Sequence, residues 1–243
     1  MLLIKPASVN AKAEMFRVAV ASNFSLTLKH LRKDFKEKTG VSFTISQSST
    51  GKLFAQIVHG APYDIFLSAD EKRPDILFQK GLAYESFIYA EGLLVFVARK
   101  KSGSECRGLL SEYLNDNTGA KIAIANPKTA PYGMAAAQVL KFYGKLNELS
   151  SVLVRGESIL QTFQFVMSGS ANSGFIAKSL VMQPDDSGLY CYLPLARKLY
   201  QPIRQKMVVL KRAKGKAEVQ LFLDYMKSKA AKRIIKENGY FTN

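Results

Sequence analysis

Histidine and cysteine are scarce in this chain of 243 residues, with two of each. His30 and His59 fall in helical patterns, far in sequence from any cysteine or carboxylate cluster, so no metal-ligand spacing emerges. Cys106 and Cys191 have neighbours unlike any metal or redox motif. They either pair, as in an exported protein, or stand as separate thiols. No apolar run reaches the length of a bilayer-spanning helix. The G-x-S-x-G elbow of serine hydrolases and the G-x-x-x-x-G-K-[ST] phosphate loop are both missing. Thr50-Gly51-Lys52 echoes the loop without its spacing. Acidic residues are outnumbered, 19 against 35 basic ones, for a net charge of +16. No recognised nucleic-acid motif accompanies that charge. The basic residues are densest between Lys206 and Lys236, where many fall on the polar side of an amphipathic helix and read as a solvated face. Asp64, Asp70 and Glu71 lack a partner base and read as strand-end and helix-cap acids rather than an acid–base pair.

What remains is a globular composition, 47% hydrophobic and 22% charged. The length suffices for one large domain or two modest lobes. The stretch Ser48-Ser49-Thr50-Gly51-Lys52 stands directly before Leu53-Phe54-Ala55-Gln56-Ile57, a run with helical spacing. Hydroxyls and a glycine at a helix start gather hydroxyl donors, unpaired N–H groups and the positive end of the helix dipole at one spot, which suits an oxyanion.

Phe16–Ala21 reads as a buried strand, with Ser22-Asn23 ending it and capping a helix that carries Phe24, Leu28, Leu31 and Phe35 on one face. Val41–Ile45 is a second strand. Asp64–Ser68 is a third, followed by a helix around Pro74–Gln79. Leu93–Ala98 leads into a break at Arg99–Ser104. Lys121–Ala125, Val152–Val154 and Ser173–Ala177 read as further strands, with helices opening at Ala130-Pro131-Tyr132-Gly133 and Gly156-Glu157-Ser158. Lys206–Leu210 is a return strand. One last helix presents Val219, Phe222, Met226 and Ile234 to a core. Strands and helices in alternation imply parallel βαβ units, whose ligands sit beyond the carboxyl ends of the strands. Ser22-Asn23, Ser49-Thr50 and Ala69-Asp70 all lie at such ends. The halves share an element order, though no close sequence repeat.

Several runs carry a family resemblance: Val18–Phe24, Ser49–Ile57, Gly60-Ala61-Pro62-Tyr63-Asp64-Ile65-Phe66-Leu67-Ser68-Ala69-Asp70-Glu71, Asn126-Pro127 with Ala130-Pro131-Tyr132-Gly133, and Ser168-Gly169 with Gly174-Phe175. On these the chain resembles the periplasmic molybdate-binding proteins, the substrate-binding components of molybdate ABC transporters. The resemblance implies the α/β, two-lobed type II periplasmic binding-protein fold, each lobe a mostly parallel sheet flanked by helices, with a hinge crossed twice by the chain. Residues 14–91 and 200–243 are expected to form lobe 1 and residues 92–199 lobe 2. Residues 1–13 read as a possible leader remnant, with Ala11-Lys12-Ala13 before Glu14 as its cleavage site.

The resemblance further implies that Ser22 and Asn23 close the first strand onto the anion and that Thr50 supplies a hydroxyl and an N–H, with Ser49 beside it as a further hydroxyl. Tyr132 and the backbone N–H of Ile159 are the implied donors of the second lobe. Thr50 stands where serine is usual, and Ile159 where a smaller apolar residue is common. The ligand is then molybdate or tungstate, with sulfate or thiosulfate as the alternative. The implied protein is a periplasmic carrier, not an enzyme, working as a monomer with a membrane permease and without a cofactor or a protein-bound metal cation.

Overall fold

The computed structural model describes residues 15–100, 108, 110–116, 118–182, 188 and 190–242. The leader reading and Cys106 lie outside the described residues; Cys191 is disulfide-bonded.

The chain begins with β1 (Phe16–Ala21), a 3-10 turn at Ser22–Phe24, α1 (Ser25–Thr39), β2 (Phe43–Ser48), α2 (Thr50–Val58), β3 (Ile65–Leu67), α3 (Lys72–Gln79) and β4 (Ala83–Gly92). It continues with β5 (Leu94–Arg99), α4 (Leu110–Leu114), β6 (Ile122–Ala125), α5 (Pro131–Phe142), β7 (Leu153–Gly156), α6 (Ile159–Ser168), β8 (Ser173–Ala177), α7 (Lys178–Val181) and β9 (Tyr190–Pro194). It returns through β10 (Ile203–Leu210) and closes with α8 (Ala217–Lys227) and α9 (Lys229–Glu237).

Two mixed sheets result, ordered β2-β1-β3-β10-β4 and β7-β6-β8-β5-β9. In the first, β2, β1 and β3 run parallel while β10 lies antiparallel to both β3 and β4. In the second, β7, β6 and β8 run parallel while β5 lies antiparallel to β8 and β9. The sheets therefore share one topology, with β10 and β5 as counterparts. That equivalence puts the loops after β1 and β2 in the same relation to their sheet as the loops after β6 and β7.

The helices form because their apolar residues recur on one face. Leu28, Leu31 and Phe35 of α1 are fully buried, each contributing roughly 1.5–3 kcal/mol, and Gly40 ends the helix in the left-handed conformation (φ 73°). Around them Phe16, Phe35, Phe43 and Phe222 pack ring against ring. The second half is filled by Phe96, Val139, Leu140, Val166 and Phe175.

Three local readings need correction. Ser22 and Asn23 do not cap α1 with their side chains: they form the 3-10 turn, and the residue preceding α1 is Phe24. The second strand begins at Phe43 rather than Val41 and runs on to Ser48. The last helix is two. Ser228 adopts an extended conformation and its hydroxyl accepts the Ala231 N–H, starting α9 afresh. That shift in phase buries Ile235 and leaves Ile234 only partly covered. β4 and β9 escape sequence reading because their partly exposed faces blur the alternation.

Candidate functional site

The parallel strands deliver their carboxyl ends to a single crevice between the sheets. There a small cavity of about 10 Å³ is lined by Ala21, Ser22, Asn23, Ser49, Thr50, Ala69, Ala130, Pro131, Tyr132 and Ile159. Drug-sized ligands need roughly 300–1,000 Å³, so the closed cavity excludes them. All six residues singled out from the sequence, Ser22, Asn23, Ser49, Thr50, Tyr132 and Ile159, meet at this wall. Among the described residues, no lysine, arginine, histidine or carboxylate contributes to it.

The hydroxyls differ in what they already do. Thr50 Oγ1 accepts the Ala69 N–H at 3.2 Å, which leaves its own proton free to donate. Ser49 precedes α2, yet its hydroxyl makes no cap bond. Its Oγ is buried and has no partner, a state that costs about 1–3 kcal/mol. Beside the cavity, this hydroxyl has its proton free to donate. The first residues of α2 and α6, Thr50 and Ile159, present backbone N–H groups that have no acceptor within their own helices. Ser158 fixes the start of α6 by accepting the Gln161 N–H at 3.2 Å.

Asn23 plays a different part. Its side-chain nitrogen donates to Gln205 Oε1 at 2.9 Å and to Tyr240 Oη at 3.0 Å, behind the cavity wall. Its carbonyl accepts the Ser179 hydroxyl at 3.0 Å and the Tyr240 hydroxyl at 2.7 Å. Asn23 thus ties the wall to a buried network rather than turning its amide nitrogen inward. Tyr132 belongs to the same network: Gln205 Nε2 donates to its Oη at 3.1 Å. Burial pushes the Tyr132 phenol well above its ordinary pKa, with the neighbouring Tyr240, Tyr89 and Tyr200 adding to the shift. It stays a neutral donor at any physiological pH.

Gln205, Tyr89, Tyr240, Ser179 and Gly92 were missed from sequence. Only Gln205 left a trace: it occupies the core phase of its strand, in line with Ile203, Met207 and Val209, where a polar residue signals a buried partner. Gly92 is needed for space, because a Cβ there would sit 2.0 Å from Tyr132 Oη.

The cleft is closed. Gly51 N–H donates to the Thr129 carbonyl at 2.9 Å and Arg73 Nη2 to the Lys128 carbonyl at 3.0 Å. At the rim Lys52 Nζ lies 2.8 Å from Glu157 Oε2; the Lys52 hydrogen bond and charge hold the Glu157 carboxyl below its ordinary pKa. The acids of the Gly60–Glu71 run are structural. Asp64 receives Lys216 at 2.9 Å and the Arg17 N–H at 2.8 Å, and Asp70 binds the Arg73 N–H at 3.1 Å.

Known proteins share this fold. The chain is 38% identical over 232 residues to the molybdate-binding protein of Azotobacter vinelandii, covering 95% of this chain and 91% of that protein. It is 34% identical over 242 residues to the molybdate-binding protein of Rhodobacter capsulatus, covering 99% and 93% respectively. The solved structure of the Azotobacter vinelandii periplasmic molybdate-binding protein superposes with a TM-score of 0.87 at 37% identity, over 94% of this chain and 99% of that one. The family model for bacterial extracellular solute-binding proteins matches residues 16–241. The two-sheet fold, the closed crevice and this match establish that the chain belongs to the family of bacterial extracellular solute-binding proteins.

Proposed function

We propose that this chain captures molybdate in the cavity between its halves and hands it to the membrane permease of an ABC transporter. The observation that carries the reading is a small cavity offering neutral hydroxyl and backbone donors, with no charged side chain among the described residues of its wall. A tetrahedral dianion stripped of water is costly to bury alone. Each neutral donor returns roughly 1.5–3 kcal/mol, and the N-termini of α2 and α6 add their dipoles. Molybdate is deprotonated at neutral pH and accepts from every side, as such a wall requires. A wall without lysine or arginine also permits release.

On this reading Ser22, Ser49, Thr50 and Tyr132 donate through hydroxyls, and Thr50 and Ile159 through backbone N–H groups. Asn23 acts through its backbone and the network behind it. Tungstate, with the same shape and charge, is taken as well. Residues 14–91 with 200–243 and residues 92–199 act as lobes that hinge where β4 passes into β5 and β9 into β10. The closed form, in the periplasm and as a monomer, is what the permease meets. The reading makes the chain a carrier rather than a catalyst, in keeping with relatives that are molybdate-binding proteins.

Calorimetric titration with molybdate, tungstate, sulfate and phosphate tests the reading. Tight molybdate and tungstate binding with weak sulfate and phosphate binding is the expected result. Tight sulfate binding without a molybdate response overturns it.

A further inference from the structure

Gln205 is fully buried on β10, yet it does not line the cavity. Its amide is addressed on both sides. Oε1 takes the Asn23 side-chain N–H at 2.9 Å and lies 2.9 Å from the Tyr89 hydroxyl. The Tyr89 proton is shared with the Ser68 carbonyl at 3.0 Å. With Oε1 facing these donors, Nε2 faces Tyr132 Oη at 3.1 Å and donates to it. The buried phenol therefore accepts from behind, and the cavity is where its own proton is left to point. Without Gln205, the same phenol could turn and present a lone pair to the cavity instead. Gly92 guards this arrangement, since a Cβ there would lie 2.7 Å from Gln205 Nε2 and 2.0 Å from Tyr132 Oη.

We propose that Gln205 is a positioning residue that holds Tyr132 as an obligate hydrogen-bond donor to the anion. The assignment rests on the oxyanion reading and extends it. Because Gln205 belongs to the sheet of β1 and Tyr132 to α5 on the other sheet, the bond forms only when the cleft is shut. Donor orientation is thus a consequence of closure: the second half supplies its phenol in working order only when the first half meets it. A site so arranged discriminates against anions carrying a proton, which would meet another proton at Tyr132.

The test is a double-mutant cycle with molybdate as the probe. Gln205→Met is made alone and in the Tyr132→Phe background, with affinity read by calorimetry and folding by the melting transition without anion. If Gln205 works through Tyr132, its loss lowers affinity about tenfold when Tyr132 is present and less than twofold when it is not, a coupling between about 1 and about 1.4 kcal/mol. Equal losses in both backgrounds, or no loss in either, overturn the assignment, because a merely structural role is blind to residue 132. Gln205→Glu keeps an acceptor toward Asn23 and Tyr89, alters the atom facing Tyr132, and runs the same cycle if Gln205→Met does not fold.

A second readout is spectroscopic. The chain has no tryptophan, so an ultraviolet difference spectrum on molybdate addition reports tyrosines directly. The wild type gives a tyrosine signal that Tyr132→Phe abolishes and Gln205→Met diminishes. A full-size signal in Gln205→Met contradicts the assignment. Failure of the wild type to bind any tetrahedral oxyanion instead overturns the oxyanion reading itself, a result distinct from a failed cycle in a protein that binds.

Discussion

Gly51, on the second residue of α2, gives its N–H to the carbonyl of Thr129 across the cleft at 2.9 Å. The two backbones meet so closely that a Cβ on Gly51 would lie 3.0 Å from Thr129 Cα. A glycine here is required by the opposing half of the molecule, not by its own helix. The contact sits one residue from Thr50, so closure and ligand binding share a few ångströms of chain.

Gly51→Ala should therefore separate closure from folding. Alanine is favoured over glycine in a helix by up to about 1 kcal/mol, so the melting temperature without anion should hold or rise. Closing onto Thr129 forces a shift of a few tenths of an ångström, and molybdate affinity should fall several-fold. Calorimetry paired with thermal melting reads both signs; a fall in stability with unchanged affinity refutes the account.

Ser49→Ala should show the same split for a different reason. The Ser49 hydroxyl is buried without a partner and makes no cap bond. Removing it relieves an unsatisfied group, so the anion-free protein should be as stable or slightly more so. The bound state loses one donor to a dianion, a loss of about 1.5–3 kcal/mol or roughly 10- to 100-fold in affinity. Thr50→Ala should lower affinity comparably, but it also strips the Ala69 N–H of its acceptor and so should lower the melting temperature. Unchanged affinity in both variants would remove these hydroxyls from the site.

Gly92→Ala should be the more damaging glycine change. The added methyl has no room beside Tyr132 Oη, and the phenol must leave the position in which Gln205 holds it. The expected outcome is a loss of at least tenfold in molybdate affinity. A variant that folds and binds as the wild type does would mean that the Tyr132 hydroxyl is dispensable.

The strands and the hydroxyl-bearing turns were legible because they obey local rules: apolar runs such as Val18–Ala21 and Ile122–Ala125 announce buried strands, and Ser49-Thr50 before Leu53 announces a helix start. That the turns converge follows from parallel topology alone. What did not show was everything depending on the partner across the cleft. Nothing local marks Gly51 or Gly92 as a close approach. Tyr89 and Tyr240 look like ordinary core aromatics until Gln205 and Asn23 are brought against them. Asn23 drew attention for its position at the end of β1, but its amide serves Gln205 and Tyr240 instead. The break at Ser228 was masked by helical residues on either side, so Ile234 was credited with the burial that Ile235 has.

The buried phenols set the alkaline limit of the protein. Tyr89, Tyr132 and Tyr240 are all held above the ordinary tyrosine pKa of 10.0, chiefly because burial penalises the phenolate. A group whose pKa is raised on folding contributes its full stabilisation below the unfolded value and loses it as pH climbs toward the folded one. Above about pH 10 the unfolded chain sheds protons that the folded chain keeps. In the closed form these three groups alone should lower the unfolding free energy by about 4 kcal/mol per pH unit once all three ionise in the unfolded state, and the Tyr200 and Tyr225 phenols, raised chiefly by burial as well, steepen the slope. Denaturant titrations across pH 8 to 11 (about one unit apart or closer) check the slope. The tyrosinate absorbance of these three residues should appear together with unfolding rather than before it. Because Tyr132 meets Gln205 only when the cleft is shut, molybdate affinity should stay level below about pH 10 and decline above it, as the phenol of the open form loses the proton that the closed form keeps. Affinity that stays level to the point of unfolding would show that Tyr132 is as buried in the open form as in the closed one.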